Sequence, residues 1–228
     1  MELWKIWEYE WEFTWCGVGS REVTPDVVVL QEWIGHCMAL LGGVLCTGDA
    51  IGSDTHFFVG YNRGRKSKMP PAQIYYTRKK NQRNLQHDAR MGQHEFEMYP
   101  EVCHMAQDMA YEARGSFEGL FPSGIALHSR NALQVMSETL DNPRRMTVYY
   151  AKPVGKRGNV SGGTNTAVKI SRKNKIPTVN LYVEEQRTNF IEWLTKQLTD
   201  RNIPIPVIQE QTDVLSTEAP TEVHQPPV

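Results

Sequence analysis

The 228-residue chain has no excess of either charge: 25 Lys and Arg stand against 26 Asp and Glu, a net charge of −1. Proteins that coat nucleic acid draw on a basic surplus, because phosphate contacts dominate that affinity, and the overall balance gives no support to such a role. Cysteine is sparse. Cys16, Cys37, Cys46 and Cys103 are never three positions apart, which excludes a CxxC redox or zinc pair and reads as reduced thiols. No apolar run reaches the roughly 20 residues of a membrane-spanning helix. The first twelve residues are acidic and aromatic rather than basic and then apolar, so no signal peptide is read. The expectation is a cytoplasmic protein with no membrane partner. GxxxxGK[ST], GxSxG and HExxH are all missing. His87, His94 and His104 with Glu95 and Glu97 form the one histidine cluster, at spacings that match no zinc motif. Metal: none; cofactor: none.

What is present is an alternation of short apolar strands and amphipathic helices. Trp7, Tyr9, Trp11, Phe13 and Trp15 alternate with polar residues, the period of a strand with one buried face. Thr24-Pro25 starts a helix that Gly42-Gly43 ends. Further strands are expected near 44–47, 72–77, 146–151 and 177–183, and helices from 53, over 100–114, 123–140, 164–174 and 186–201. The class is α/β: a mainly parallel sheet with helices on both faces and a helical insertion between its third and fourth strands. Residues 1–202 read as one domain. Residues 203–228, rich in Pro, Thr, Glu and Gln, read as a loosely packed tail. The basic run 78–90 reads as a solvated surface, with a phosphate-contacting lid as the sharper alternative.

Three small-residue loops stand at strand–helix junctions, where glycine admits close backbone approach and helix N-termini offer unpaired N–H groups to phosphate. The first supplies Gly17, Gly19, Ser20 and Arg21. The second supplies Gly48, Asp49, Ala50 and Gly52, with Asp54 just beyond. The third supplies Gly162, Gly163, Thr164 and Thr166. A crevice at the carboxyl ends of the strands is the expected ligand site. Asp54 is most simply a helix cap. Asp49 is the better partner for a ribose or a base amino group, and the candidate catalytic acid. Arg130 and Asn131, mid-helix, are either exposed or a fork for phosphate.

These loops, with the Arg-Asn-Ala-Leu-Gln-Val run at 130–135 and the Ile-Pro-Thr-Val-Asn-Leu strand at 176–181, resemble the SLOG superfamily of Rossmann-like proteins. The closest likeness is to phage and prophage members labelled DprA-like. The resemblance implies binding of nucleotides or nucleotide-derived ligands. Some members cleave the N-glycosidic bond of nucleoside monophosphates through a Pro-Gly-Gly-x-Gly-Thr-x-x-Glu motif. Here Ser161 stands at its proline, Asn165 at its last glycine and Lys169 at its glutamate. The leading expectation is therefore a protein that holds an ADP-ribose-like or cyclic-nucleotide molecule without turning it over, sequestering a host immune signal in a phage setting. Single-stranded DNA binding in the manner of DprA is one alternative. Arg78, Lys79, Lys80, Arg83, Arg144, Arg145, Lys152, Lys156 and Arg157 would then form a basic stripe. A nucleoside monophosphate N-glycosidase is the other. Homo-oligomers are common in the group, and the N-terminal aromatics would suit a subunit face.

Overall fold

A computed structural model describes residues 13–77, 92–96, 100–155 and 158–207. The start of the N-terminal aromatic alternation, residues 78–90 and the end of the tail lie outside the described residues. Six strands form one sheet: β1 (Thr14–Gly19), β2 (Val44–Gly48), β3 (Gln73–Tyr76), β4 (Gly92–Glu95), β5 (Thr147–Tyr150) and β8 (Thr178–Asn180). Every pairing is parallel, in the order β4-β3-β2-β1-β5-β8. The chain builds outward from β1 to β4, then returns to lay β5 against the other side of β1. The strand order reverses between β1 and β5, the place where open α/β sheets hold ligands.

Strand periodicity divides the core. Trp15, Leu45, Ile74, Val148 and Val179 point to one face, where α1 (Pro25–Leu40), α2 (Ser53–Gly64) and α6 (Glu184–Asp200) cover them. Their neighbours Cys16, Val18, Cys46, Tyr75 and Tyr149 point to the other, under α3 (Pro100–Arg114), α4 (Pro122–Met136) and α5 (Thr164–Lys173). The Rossmann-like layering is as expected. β4 is an addition, because Gly-Gln-His-Glu carries no apolar pattern to mark it. The loop expected at 152–160 contains a small antiparallel hairpin, β6 (Pro153–Val154) with β7 (Asn159–Val160). Among the described helices none is long and apolar enough to cross a membrane. The cysteines are free thiols. Burial pushes Cys46 up to about 11 and Cys37 up to about 12, so neither is a reactive thiolate.

Side chains at strand and helix ends satisfy the polar groups that packing isolates. Arg144 is buried, which removes it from any basic stripe on the surface. Its Nε donates to the Gln134 carbonyl at 3.2 Å, and Nη2 donates to the Tyr75 hydroxyl at 2.6 Å. A cation thus sits on the orphan carbonyls of the α4 C-terminus, as the helix dipole favours. Asn180 clamps the ends of β5 and β8. Its Nδ2 donates to Ala151 O at 2.9 Å, and its Oδ1 accepts from Ala151 N at 3.3 Å. Past α6 the chain still touches the body: Trp33 Nε1 donates to Pro206 O at 2.9 Å.

α1 and α2 cross so closely that side chains are excluded. A methyl at Gly35 would meet the Phe57 carbonyl and, at 2.8 Å, the Tyr61 nitrogen; a methyl at Gly60 would collide with the Glu32 backbone. Gly60→Ala is expected to lower stability by about 2 kcal/mol, the ordinary cost of overpacking. Gly124→Ala has no neighbour nearer than 3.6 Å and is expected to be neutral or to stabilise by about 0.5 kcal/mol. Urea unfolding of the two variants checks the contrast.

Candidate functional site

The site begins where β1 ends. Ser20 N donates to Tyr150 O at 2.8 Å, and Ser53 N donates to Ser20 O at 3.0 Å. The loop after β1 is thereby pinned between the end of β5 and the start of α2. Gly52 has φ +84, and a side chain there would strike the Ser20 and Arg21 carbonyls. Only glycine satisfies both the left-handed backbone and the close approach.

α4 forms the facing wall. Arg130 is buried, and its Nη1 donates to Tyr75 O at 3.1 Å and lies 4.0 Å from Asp54 Oδ2. With its oxygen turned to Arg130, the Gln134 amide accepts from Nη1 at 2.9 Å while its nitrogen donates to Asn131 Oδ1 at 2.8 Å. Gly48 leaves the room for this group: a methyl there would strike Arg130, Asp54 and Gln134. Arg130 Nε has no partner among the described residues. A buried guanidinium nitrogen without an acceptor costs free energy.

Asp54 does not cap α2. Its Oδ2 instead accepts from Ala50 N at 3.4 Å. Burial pushes its carboxyl up to about 6, Arg130 and the Ala50 N–H pull it back, and Asp49 nearby pushes it further. The same burial lowers Arg130 from its ordinary value, against the pull of the Asp54 and Asp49 carboxylates.

The third wall is the loop entering α5. Asn131 Nδ2 donates to Gly163 O at 3.1 Å, and His128 Nδ1 lies 2.7 Å from Thr166 Oγ1. The glycines here differ from those of the other loops. Methyls at Gly17, Gly19, Gly48 and Gly52 would collide with protein, so those residues serve internal packing. Gly162 has nothing within 4 Å, and Gly163 has only His128 Cε1 at 3.9 Å. Gly163 has an ordinary φ of −64. Neither conformation nor packing requires glycine at 163; the bare backbone faces open space at a helix N-terminus, where Asn165 N and Thr166 N donate to the Gly162 and Gly163 carbonyls at 3.3 and 3.1 Å.

The three walls enclose a cavity of about 410 Å³ beside the β1–β5 switch point. Of the residues expected from sequence, Gly19, Ser20, Arg21, Ala50, Asp54, Arg130, Asn131, Gly162, Gly163 and Thr164 line it. Gly17, Gly48 and Gly52 lie behind the lining as packing residues, and Asp49 is buried outside it. Thr166 stands behind His128. Sequence reasoning missed His128 and Gln134, which line the cavity, and Leu127 and Gly124 beside them. Their signal was the helical period: 127, 128 and 134 are i±3 or i±4 neighbours of Arg130 or Asn131, and 124 lies one further turn back. Among the described residues no group of three or more His, Cys, Asp or Glu is arranged to hold a metal ion.

No protein-family model and no curated protein matches the sequence. Solved structures of similar fold include two. The Moco carrier protein of Chlamydomonas rheinhardtii is 14% identical, with 83% of this chain and 87% of that chain covered and a TM-score of 0.41. DNA processing protein A from Helicobacter pylori, described with a single-stranded DNA binding mode, is 13% identical, with 86% and 84% covered and a TM-score of 0.48. Likenesses at this level assign no residue a role.

The Asp54 carboxyl gives the site a stability signature. Its folded value, about 6, is above the ordinary 3.8. Between those values the folded state keeps a proton that the unfolded chain has lost, so this stabilisation is full below pH ~4 and falls as pH rises through ~6, by about 3 kcal/mol in all. In urea titrations the wild type is expected to gain on Asp54→Asn as pH drops from 6.5 to 4. A difference that stays constant with pH contradicts the assignment.

Proposed function

We propose that this protein binds a phosphate-bearing, nucleotide-derived small molecule in the switch-point cavity and holds it without turning it over. The observation that carries the reading is the meeting, in one cavity, of open backbone at a helix N-terminus with a buried arginine. The bare backbone of Gly162 and Gly163, leading into α5, lines it, and so does the guanidinium-bearing Arg130. Helix N-termini and guanidinium groups both favour phosphate oxygens, and Arg21 on the exposed rim adds a second cation. The size suits one small ligand. Asn131, hydrogen-bonded to the Gly163 carbonyl, fixes the loop against α4 before the ligand arrives, which reduces the ordering cost of binding.

Holding rather than cutting rests on the third loop, where Lys169 stands at the position of the glutamate in the hydrolytic relatives that the loop resembles. If the ligand is an ADP-ribose-like or cyclic-nucleotide signal, as the phage resemblance implies, holding it amounts to sequestration. One observation favours the N-glycosidase alternative: Asp54 lines the cavity, and its carboxyl is partly protonated near neutral pH, a state suited to a general acid. Chromatographic assay of AMP incubated with the protein separates the two. No free base is expected, and release that Asp54→Asn abolishes would replace holding by cutting. The single-stranded DNA reading loses Arg144 to the core, while Arg145 and Lys152 remain exposed.

Isothermal titration against AMP, ADP-ribose and cyclic nucleotides is expected to give saturable heat with at least one of them. Gly163→Val is expected to weaken that binding by about tenfold or more, since it fills the approach to the α5 N–H groups, while stability changes by less than about 1 kcal/mol. Silence across the whole panel contradicts the reading.

A further inference from the structure

His128 occupies the cavity wall between Arg130 and the α5 loop, and nothing in the scheme above uses it. It sits on α4 one turn before Asn131 and Ala132, half-buried, with Nδ1 held 2.7 Å from Thr166 Oγ1. Its Cε1 is the nearest atom to a side-chain position at Gly163. The groups around it come from every neighbouring element. Arg114 at the end of α3 and Arg130 on α4 both disfavour a cationic ring, after burial, which disfavours it most. Thr166 of α5 contributes a hydroxyl. Across the cavity stand Arg21 and Glu22 from the loop after β1, and Asp54 from α2. The imidazole is therefore neutral at pH 7.

We propose that His128 makes ligand binding proton-linked: a phosphate-bearing ligand enters together with one proton, taken from solvent onto Nε2 and donated to a phosphate oxygen. The chemistry balances at both ring nitrogens. A cationic imidazole donates from both, and a threonine hydroxyl both donates and accepts. Thr166 can thus donate to the neutral Nδ1 and accept from Nδ1–H once the ring is charged, so its contact persists through the change. The entering anion offsets Arg114 and Arg130, the charges that kept the ring neutral. Affinity then rises as pH falls from 8 towards 6.

This inference rests on the proposed binding function, and one experiment separates their failures. The full chain is titrated calorimetrically with ADP-ribose, and with AMP as a second probe, at pH 7.5 in three phosphate-free buffers of different ionisation enthalpy. A fraction of a proton, below about one half, is expected to be taken up per ligand bound, since a midpoint that starts below the ordinary histidine value and rises by about one unit stays below 7.5. His128→Gln is expected to bind about tenfold more weakly, the loss of one charge-assisted hydrogen bond, with proton uptake cut by more than half. Binding without uptake, or uptake unchanged in His128→Gln, overturns the proton link and leaves the binding function standing. No heat from either probe, or from the cyclic nucleotides, in any buffer removes both. Should His128→Gln fail to fold, the ring Cε1–H resonance of wild-type His128 decides: its titration midpoint is expected to move up by about one pH unit on saturation with the probe, and an unmoved midpoint overturns the proposal.

Discussion

The buried meeting of Asp54 with Arg130 is the constraint on which the site depends. One carboxylate comes from α2 on one face of the sheet, one guanidinium from α4 on the other, and they approach to 4.0 Å past the carboxyl ends of β2 and β3. Such a pair is costly to bury and tolerable only when its remaining hydrogen-bonding capacity is met. The Tyr75 carbonyl, the Gln134 amide and the Ala50 N–H meet most of it. One atom, Arg130 Nε, is left over, and it belongs to a residue that lines the cavity. The same geometry explains Gly48, whose missing side chain is the space the pair occupies.

Around that pair the fold does the positioning. The return of the chain from β4 to β5 opens a crevice beside β1, and the two halves of the sheet meet there through Gly19 and Tyr150, which are register partners. Ser20 is held from both sides by backbone hydrogen bonds, and Asn180 ties the ends of β5 and β8 together. The cavity is therefore built on strand ends and helix termini rather than on long loops. That suits a ligand recognised by backbone N–H groups, whose placement must be accurate to a few tenths of an ångström to matter.

Much of this was legible in the sequence. The alternation of apolar strands with helices gave the class, because burial on both faces of a parallel sheet leaves a pattern that survives without any alignment. Thr24-Pro25 and Gly42-Gly43 marked the bounds of α1 through backbone chemistry that few other residues share. The three loops were visible as glycine clusters, yet glycine count alone could not tell packing from function. Gly19, Gly48 and Gly52 are there because neighbouring atoms fill the space, whereas Gly163 borders empty space, and both kinds read alike on paper. β4 was missed because Gly-Gln-His-Glu has no apolar period. Arg144 looked like a surface cation and is a buried cap for the α4 C-terminus, since a lone arginine carries no mark of what its fork will meet. His128 was missed for the same reason, although its spacing to Asn131 placed it on the right face of the helix.

The proposed function turns on the cavity holding a phosphate-bearing small molecule. The most direct measurement is mass spectrometry of whatever the native protein carries when purified from cells, released by denaturation and compared with the Gly163→Val variant. A phosphorylated nucleoside derivative is expected, released intact from the wild type and depleted in the variant. A wild-type protein that releases no such molecule, or releases it in equal amount from the variant, would contradict the proposed function.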